Sequence, residues 1–178
     1  MPNDSASVRV GLLELNQTQF ILSIAAVILC FDQLTKWVVL RVLGYAQEWV
    51  VIEGFFKFVH WVNTGAAWSL FKGQNNILAV ISFVALVAMF FGKKHLGSDT
   101  LAGRVALGLL FGGITGNLFD RLNENRGHVI DFLYFYTVRR GGTEIGFPAF
   151  NVADSAICIG VGTLFWLTYR KERPAPAG

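Results

Sequence analysis

The sequence predicts a mainly α-helical membrane protein, a bundle of four transmembrane helices with a small extracytoplasmic β element between helices one and two. Of its 178 residues, 53% are hydrophobic and only 15% are charged, whereas about 25% charged is usual for a soluble domain. Four uncharged stretches, 15–31, 73–92, 105–119 and 155–169, are long enough with their flanks to cross a bilayer. This composition also argues against a disordered chain, and the net charge of +3 is too small to indicate nucleic-acid binding.

We expect one membrane domain over 1–178, with helices at about 18–40, 74–92, 103–121 and 150–170 and a flexible tail at 171–178. The first stretch could be a cleaved signal peptide, but no small-residue cleavage site follows it. Cys30 follows Leu29, not the small residue of a lipoprotein signal, so the stretch is interpreted as an anchor. Cys30 and Cys158 lie in apolar stretches and are predicted to be small buried side chains without a disulfide.

Four spans place both termini on one side and the long connections, about 41–73 and 120–148, on the other. Leaving Lys36 aside, each side carries seven lysines and arginines. The terminal side has fewer residues, so its density of positive charge is higher. The positive-inside rule favours cytoplasmic termini. The runs Trp49–Ile52 and Phe55–Val62 flank Glu53-Gly54, a pattern typical of a β-hairpin, and their aromatic residues suit the membrane interface.

Several polar side chains interrupt the apolar helices, and each has a local explanation that stays open. Asp32 and Lys36 are spaced i, i+4, which allows an ion pair with Lys36 extending to the headgroups. Asp120 and Arg121 could form an interfacial ion pair. Asn151, three residues before Asp154, suits a helix N-cap. Separately, four glycines on helix three predict close helix packing: Gly108, Gly112, Gly113 and Gly116.

The topology brings these polar groups to one membrane face, because helices one and three end there and helix four begins there. The residues placed at this face are Asp32, Lys36, Asn63, Asn117, Asp120, Arg121, Asp131, Asn151 and Asp154. Costly polar groups converging at one depth are typical of a functional site. This holds whichever way the protein is oriented.

The residue types at this face favour chemistry by paired carboxylates. His60, His95 and His128 lack metal-ligand spacing, and no nucleophile motif or phosphate-binding loop is present, so we expect neither a metal nor a cofactor. Two close aspartates share one proton, so that one activates a water while the other polarises a carbonyl. A proton-coupled small membrane transporter is the main alternative, and a non-catalytic membrane scaffold is the third.

Five ordered motifs resemble those of the lipoprotein signal peptidase (signal peptidase II) family. They are Asp32-Gln33-Leu34-Thr35-Lys36, Asn63-Thr64-Gly65-Ala66-Ala67-Trp68, the run from Gly112 to Arg121, Val129-Ile130-Asp131-Phe132 and Phe150-Asn151-Val152-Ala153-Asp154. The likeness covers about residues 18–170. Three features depart from the family pattern: Trp68, the insert Asn123–Arg126 and the Gly141–Thr143 extension.

The resemblance implies an intramembrane aspartyl endopeptidase of the bacterial inner membrane with cytoplasmic termini and a site near the periplasmic face. By this resemblance Asp131 and Asp154 are the catalytic pair. The residues that organise the site or bind substrate would be Asp32, Lys36, Asn63, Asn117, Asp120, Arg121 and Asn151. Its partners would be prolipoproteins carrying a diacylglyceryl-cysteine, cut before that cysteine, and membrane lipid. We expect a monomer, and a lid role for the segment 45–62 stays open.

Overall fold

The structure, a computed structural model, contains the four predicted membrane helices. It describes the backbone of residues 4–65, 73–124 and 126–172 and the side chains of 17–65, 73–124 and 126–171. The helices are α1 Asp4–Val42, α2 Asn75–Gly92, α3 Leu101–Leu122 and α4 Val152–Glu172. Four segments of suitable length and hydropathy for crossing a membrane lie within them: Gln17–Val42, Asn75–Gly92, Leu101–Leu122 and Val152–Lys171.

Two predicted helix boundaries differ from the structure. Helix α1 begins at Asp4, not near residue 18, because the polar sequence before the apolar stretch continues the helix. Helix α4 continues to Glu172, so the first two residues of the predicted tail are helical, and 173–178 lie outside the described residues. Trp68 lies outside them as well.

Helix α3 is the central helix of the bundle and packs against α1, α2 and α4. A Cβ added at Gly108 would lie 2.6 Å from the Cβ of Ile24, and one at Gly113 would lie 2.5 Å from the carbonyl oxygen of Ala153. The predicted packing role of the glycines is therefore confirmed: their missing side chains let α1 and α4 approach the backbone of α3.

The outer surface of the bundle is apolar, as lipid contact requires. Phe83 and Val84 of α2 and Phe165 of α4 are exposed. Cys30 and Cys158 are free thiols, and both are exposed. The expectation that they would be buried is wrong: apolar side chains of a membrane helix need not face the bundle core, and Cys158 lines a cavity at the end of the bundle.

The β element is a four-stranded antiparallel sheet, larger than predicted. Its strands, in spatial order, are β1 Glu48–Ile52, β2 Phe56–Asn63, β3 Val129–Val138 and β4 Glu144–Gly146. The first two form the predicted hairpin. The other two come from the connection between α3 and α4, and pairing of β2 with β3 places Trp61 opposite Asp131. The sheet therefore carries Asp131 to the end of the bundle.

Candidate active site

Lys36 lies at the centre of the polar end of the bundle and is completely buried. Its Nζ is 2.8 Å from Oδ2 of Asp32, 2.6 Å from Oδ2 of Asp120 and 3.0 Å from Oδ1 of Asn117. The ammonium donates hydrogen bonds to Asp32 and Asn117, and its contact with Asp120 is an ion pair. The predicted contact with Asp32 is confirmed, but Lys36 does not extend to the headgroups.

Asp32 connects this ion pair to the start of α4. Its Oδ1 accepts a hydrogen bond from the backbone N–H of Ala153 at 3.0 Å, one of the N–H groups that a helix N-terminus leaves without an intrahelical partner. Gly116 makes this approach possible, because a Cβ there would lie 2.6 Å from Oδ2 of Asp32. One carboxylate thus joins α1, α3 and α4.

Asn151 is both the N-cap of α4 and a member of the polar site, the two roles that the sequence left open. Its Oδ1 accepts from the N–H of Asp154 at 2.9 Å, while Oδ2 of Asp154 accepts from the N–H of Asn151 at 3.3 Å, a reciprocal cap of α4. Its Nδ2 donates to Oδ1 of Asp131 at 2.8 Å. The cap therefore positions both Asp154 and Asp131.

Asn117 completes the connection between the two aspartates. Its Nδ2 donates to Oδ1 of Asp154 at 2.7 Å, and its Oδ1 accepts from Nδ2 of Asn151 at 3.2 Å and from Lys36. Because the contact with Lys36 identifies the oxygen, the amide orientation is defined: its N–H group faces the carboxylate. The Asp131 and Asp154 carboxyl groups are thus linked through two amides.

Asp131 lies on β3 and is only 4% exposed. Burial and the negative charge of Asp154 raise the pKa of Asp131 to about 7, although hydrogen bonds from Asn63 and Asn151 and the charge of Lys36 oppose the shift. The Asn63 amide donates to Oδ2 of Asp131 at 2.8 Å. At neutral pH this carboxyl group therefore has a large protonated fraction.

Both aspartates line a cavity of about 770 Å³. At its polar end lie Asn63, Asn117 and Arg121, and its apolar wall includes Trp61, Val129, Phe147, Phe150 and Ile157. The guanidinium of Arg121 donates to the carbonyl oxygens of Gly65 at 3.0 Å and of Asn117 at 3.3 Å, and its Nε is buried without a partner among the described residues. The cavity thus combines an apolar surface with two carboxyl groups and one cation.

The structure brings all nine predicted site residues into one network of direct contacts. The sequence analysis assigned no role to Gln33 or Arg126, which both contact Asp120: Gln33 Nε2 lies 3.2 Å and Arg126 Nη1 3.0 Å from its Oδ1. The position of Gln33 next to Asp32 in the sequence could have indicated that it belongs to the site. Arg126 had no such signal, because its contact depends on the conformation of the insert.

Fold and site together define a membrane enzyme with a carboxylate pair at one end of its helix bundle. The sequence model of the family described as signal peptidase (SPase) II matches residues 24–170. A lipoprotein signal peptidase of Bacillus pumilus is 39% identical over 143 residues, 80% of this chain and 87% of its own length. The lipoprotein signal peptidase of Bacillus subtilis is 36% identical over 80% of this chain and 88% of its own.

Solved structures agree with the sequence comparisons. One described as a bacterial membrane enzyme has a TM-score of 0.75 at 28% identity and covers 89% of this chain and 94% of its own. A second with the same description has a TM-score of 0.68 at 31% identity over 86% and 94%. The chain belongs to the signal peptidase II family. It is a multi-pass protease of the bacterial inner membrane, a result that favours the peptidase over the transporter and the scaffold.

Proposed function

We propose that this protein removes the signal peptide from diacylglyceryl-modified prolipoproteins by cutting the peptide bond before the lipidated cysteine, with Asp131 and Asp154 as the catalytic pair. One observation carries the proposal: the two carboxyl groups line the same cavity and are joined through the amides of Asn117 and Asn151. Two carboxyl groups held close together share a proton, as in other aspartic proteases.

In this mechanism Asp154 is the base and Asp131 the acid. Asp154 takes a proton from water while the resulting hydroxide attacks the scissile carbonyl, and the Asp131 proton goes to the carbonyl oxygen. When the tetrahedral intermediate collapses, Asp154 gives its proton to the leaving nitrogen of the lipidated cysteine and the carbon–nitrogen bond breaks. Asp131 takes a proton from one hydroxyl group of the intermediate, which restores the starting protonation states. Burial and the charge of Asp154 raise the pKa of Asp131 to about 7, which suits an acid that must be protonated at the working pH, and the shared proton belongs to the pair as a whole.

The environment of the pair suits a lipidated substrate. Acyl chains that stay in the bilayer hold the scissile bond near the interface, where α1 and α3 end and α4 begins. The Arg121 guanidinium lines the cavity, and its Nε has no partner within 17–65, 73–124 and 126–171. We assign it to a substrate carbonyl or headgroup phosphate. The other polar residues of the network position the pair: Asp32, Lys36, Asn63, Asn117, Asp120 and Asn151.

We further propose that the chain acts as a single domain and as a monomer, with cytoplasmic termini and the site toward the periplasm. The contributing residues all come from one chain: from α1, β2, α3, β3 and α4, and from Asn151 directly before α4. The higher density of lysine and arginine on the side of the termini supports this orientation.

The test compares wild type with Asp131→Asn and Asp154→Asn on a lipidated precursor peptide in detergent. Because a catalytic acid or base contributes about 10²–10⁴-fold, each variant is expected to lose at least about 100-fold in kcat. Asp99→Asn is the matched control, since Asp99 is an exposed carboxylate between α2 and α3, and it should keep the wild-type rate. Thermal unfolding shows that each variant is folded.

A second arm adds a chelator to the wild type, which should leave the rate unchanged. Cleavage by either Asp→Asn variant at close to the wild-type rate would contradict the assigned pair. Loss of turnover on chelation would contradict the metal-free mechanism.

A further inference from the structure

Arg126 lies in the insert 123–126 that departs from the family pattern. The N–H groups of Arg126 and Gly127 both donate to the carbonyl oxygen of Asn123, at 2.9 and 2.8 Å, and Gly127 has a φ of +59°, which favours glycine. This turn directs the Arg126 side chain back over the end of α3. Its Nη1 lies 3.0 Å from Oδ1 of Asp120, a carboxylate with no exposed surface.

The contact gives Asp120 a second cation. Without Arg126, the ammonium of Lys36 would be shared between two completely buried carboxylates, Asp32 and Asp120. Two buried carboxylates that share one cation leave an uncompensated negative charge, so the cluster would then favour binding an extra proton. Lys36 also contacts Asn117, which holds Asp154, so the effect extends to the catalytic pair.

The charges of the described residues in this cluster show what the positive charge of Arg126 contributes. The network contains four carboxyl groups, those of Asp32, Asp120, Asp131 and Asp154, and three cations, Lys36, Arg121 and Arg126. When the catalytic pair shares one proton, three negative charges face three positive ones. The one-proton state of the pair is therefore the neutral state of the whole cluster.

We propose that Arg126 is a positioning residue whose charge makes the one-proton state of the catalytic pair the neutral state of the buried cluster. Arg126 does not line the cavity, so it acts through Asp120, Lys36 and Asn117. This inference rests on the proposed function, because it requires that Asp131 and Asp154 are the catalytic pair.

Two histidines also lie near this cluster. His128 follows Arg126 in the same connection, and burial lowers its pKa in spite of the opposing charge of Asp120, so it is neutral near pH 7. His60 of β2 contacts the carbonyl oxygen of Leu43 through Nδ1. Among the side chains that the structure describes, the other charged groups in contact with the pair or its partners are the members of the cluster themselves.

The experiment measures the pH profile of kcat/KM for wild type, Arg126→Met and Arg126→Lys with the lipidated precursor peptide. Removing the positive charge makes the cluster bind its proton more tightly. The fall of kcat/KM at high pH, the alkaline limb of the profile, should therefore move up by roughly one pH unit in Arg126→Met. Arg126→Lys should return the limb to its wild-type position. KM should stay within about twofold, because no substrate contact is removed.

Two further variants separate charge from structure. Arg140→Met removes the same charge from an exposed position in the connection between β3 and β4 and should leave the profile unchanged. Asp120→Asn removes a negative charge from the cluster and should move the limb in the opposite direction, to lower pH. If Arg126→Met does not fold, Arg126→Gln tests the same loss of charge while keeping a hydrogen-bond donor for Asp120.

An alkaline limb for Arg126→Met or Arg126→Gln that coincides with that of Arg140→Met would overturn the inference. That result is distinct from failure of the proposed function, which would appear as cleavage by Asp131→Asn or Asp154→Asn. If both aspartate variants are inactive but the alkaline limb of the Arg126 variants does not move, only the role of Arg126 is rejected and the proposed function stands.

Discussion

Lys36 and Lys57 are two buried lysines that each lie between two carboxylates, but their surroundings differ. Lys36 and its partners Asp32 and Asp120 have no exposed side-chain surface. The Lys57 side chain is 5% exposed, while its partners Glu48 and Glu144 are 39% and 37% exposed. The carboxylates around Lys57 therefore keep much of their hydration, and those around Lys36 have lost it.

The difference follows from where each lysine lies. Lys57, on β2, joins the edge strands β1 and β4 through its two glutamates, and its Nζ lies 5.3 and 4.7 Å from the ring centroids of Tyr134 and Tyr136. Its loss leaves two glutamates that water can solvate. Loss of Lys36 leaves two carboxylates in the protein interior. Lys57 therefore links two edge strands through glutamates that water still reaches, whereas Lys36 balances two carboxylates that have no contact with water.

The largest effect is expected for Lys36→Met. Breaking a buried ion pair by removing one partner costs about 3–5 kcal/mol, and here two carboxylates lose their ammonium. The hydrogen bond to Asn117 is lost as well, so cleavage should fall at least about 100-fold even in the folded fraction. Thermal unfolding in detergent and turnover of the lipidated peptide measure the two effects. A variant with wild-type stability would show that the two lysines are equivalent.

The pH dependence of cleavage should show an effect of intermediate size, between those of Lys36→Met and Lys57→Met. In the proposed mechanism Asp131 must be protonated to act as the acid, and burial with the charge of Asp154 raises its pKa to about 7. The protonated fraction falls about tenfold per pH unit above that value, so kcat/KM should fall with the same slope. The folded state also holds this proton more tightly than the unfolded chain, so the contribution of Asp131 to stability decreases as pH rises from about 4 to 7.

Lys57→Met is the control for this pH profile. Burial disfavours the charged form of Lys57, but its hydrogen bonds to Glu48 and Glu144 outweigh that cost and raise the pKa of Lys57. Lys57 therefore stays charged through the working range and should not shape the profile. A profile without an alkaline limb near neutrality would contradict the assignment of Asp131 as the acid.

The smallest effect is expected for the stability of Lys57→Met. Partly exposed ion pairs contribute about 0–1 kcal/mol, so the free energy of unfolding should fall by about 1 kcal/mol and turnover should change less than about threefold. Added salt should reduce the difference between wild type and variant, because it screens exposed glutamates. A loss as large as that of Lys36→Met would contradict the comparison.

The sequence predicted the four spans and the convergence of polar residues, because hydropathy and chain direction alone determine which helix ends share a face. It predicted the hairpin from its β-prone runs on either side of Glu53-Gly54. It did not predict β3, which pairs with a strand far away in the sequence, with Trp61 of β2 opposite Asp131. Such pairing depends on tertiary structure and leaves no local pattern.

The site shows the same limit at the level of single atoms. Asn151 was recognisable as a helix cap from its spacing to Asp154, but the direction of its Nδ2 toward Asp131 depends on the packing of β3 against α4. The ion pair of Lys36 with Asp32 was predicted correctly, but its expected extension to the headgroups was wrong for a similar reason. A lysine four residues after an aspartate can extend outward, and only the approach of α3 supplies Asp120 and Asn117 as further partners.

The reciprocal cap at Asn151 has a consequence for the assembly of the bundle. Asp154 lies in the first turn of α4, and the cap residue just before this helix supplies the amide that orients Asp131. If α4 were not yet docked, Asp131 would lack both this hydrogen bond and its neighbouring carboxyl group. With Asp131 and Asp154 as the proposed catalytic pair, cleavage would therefore begin only after α4 has docked against α3 and β3.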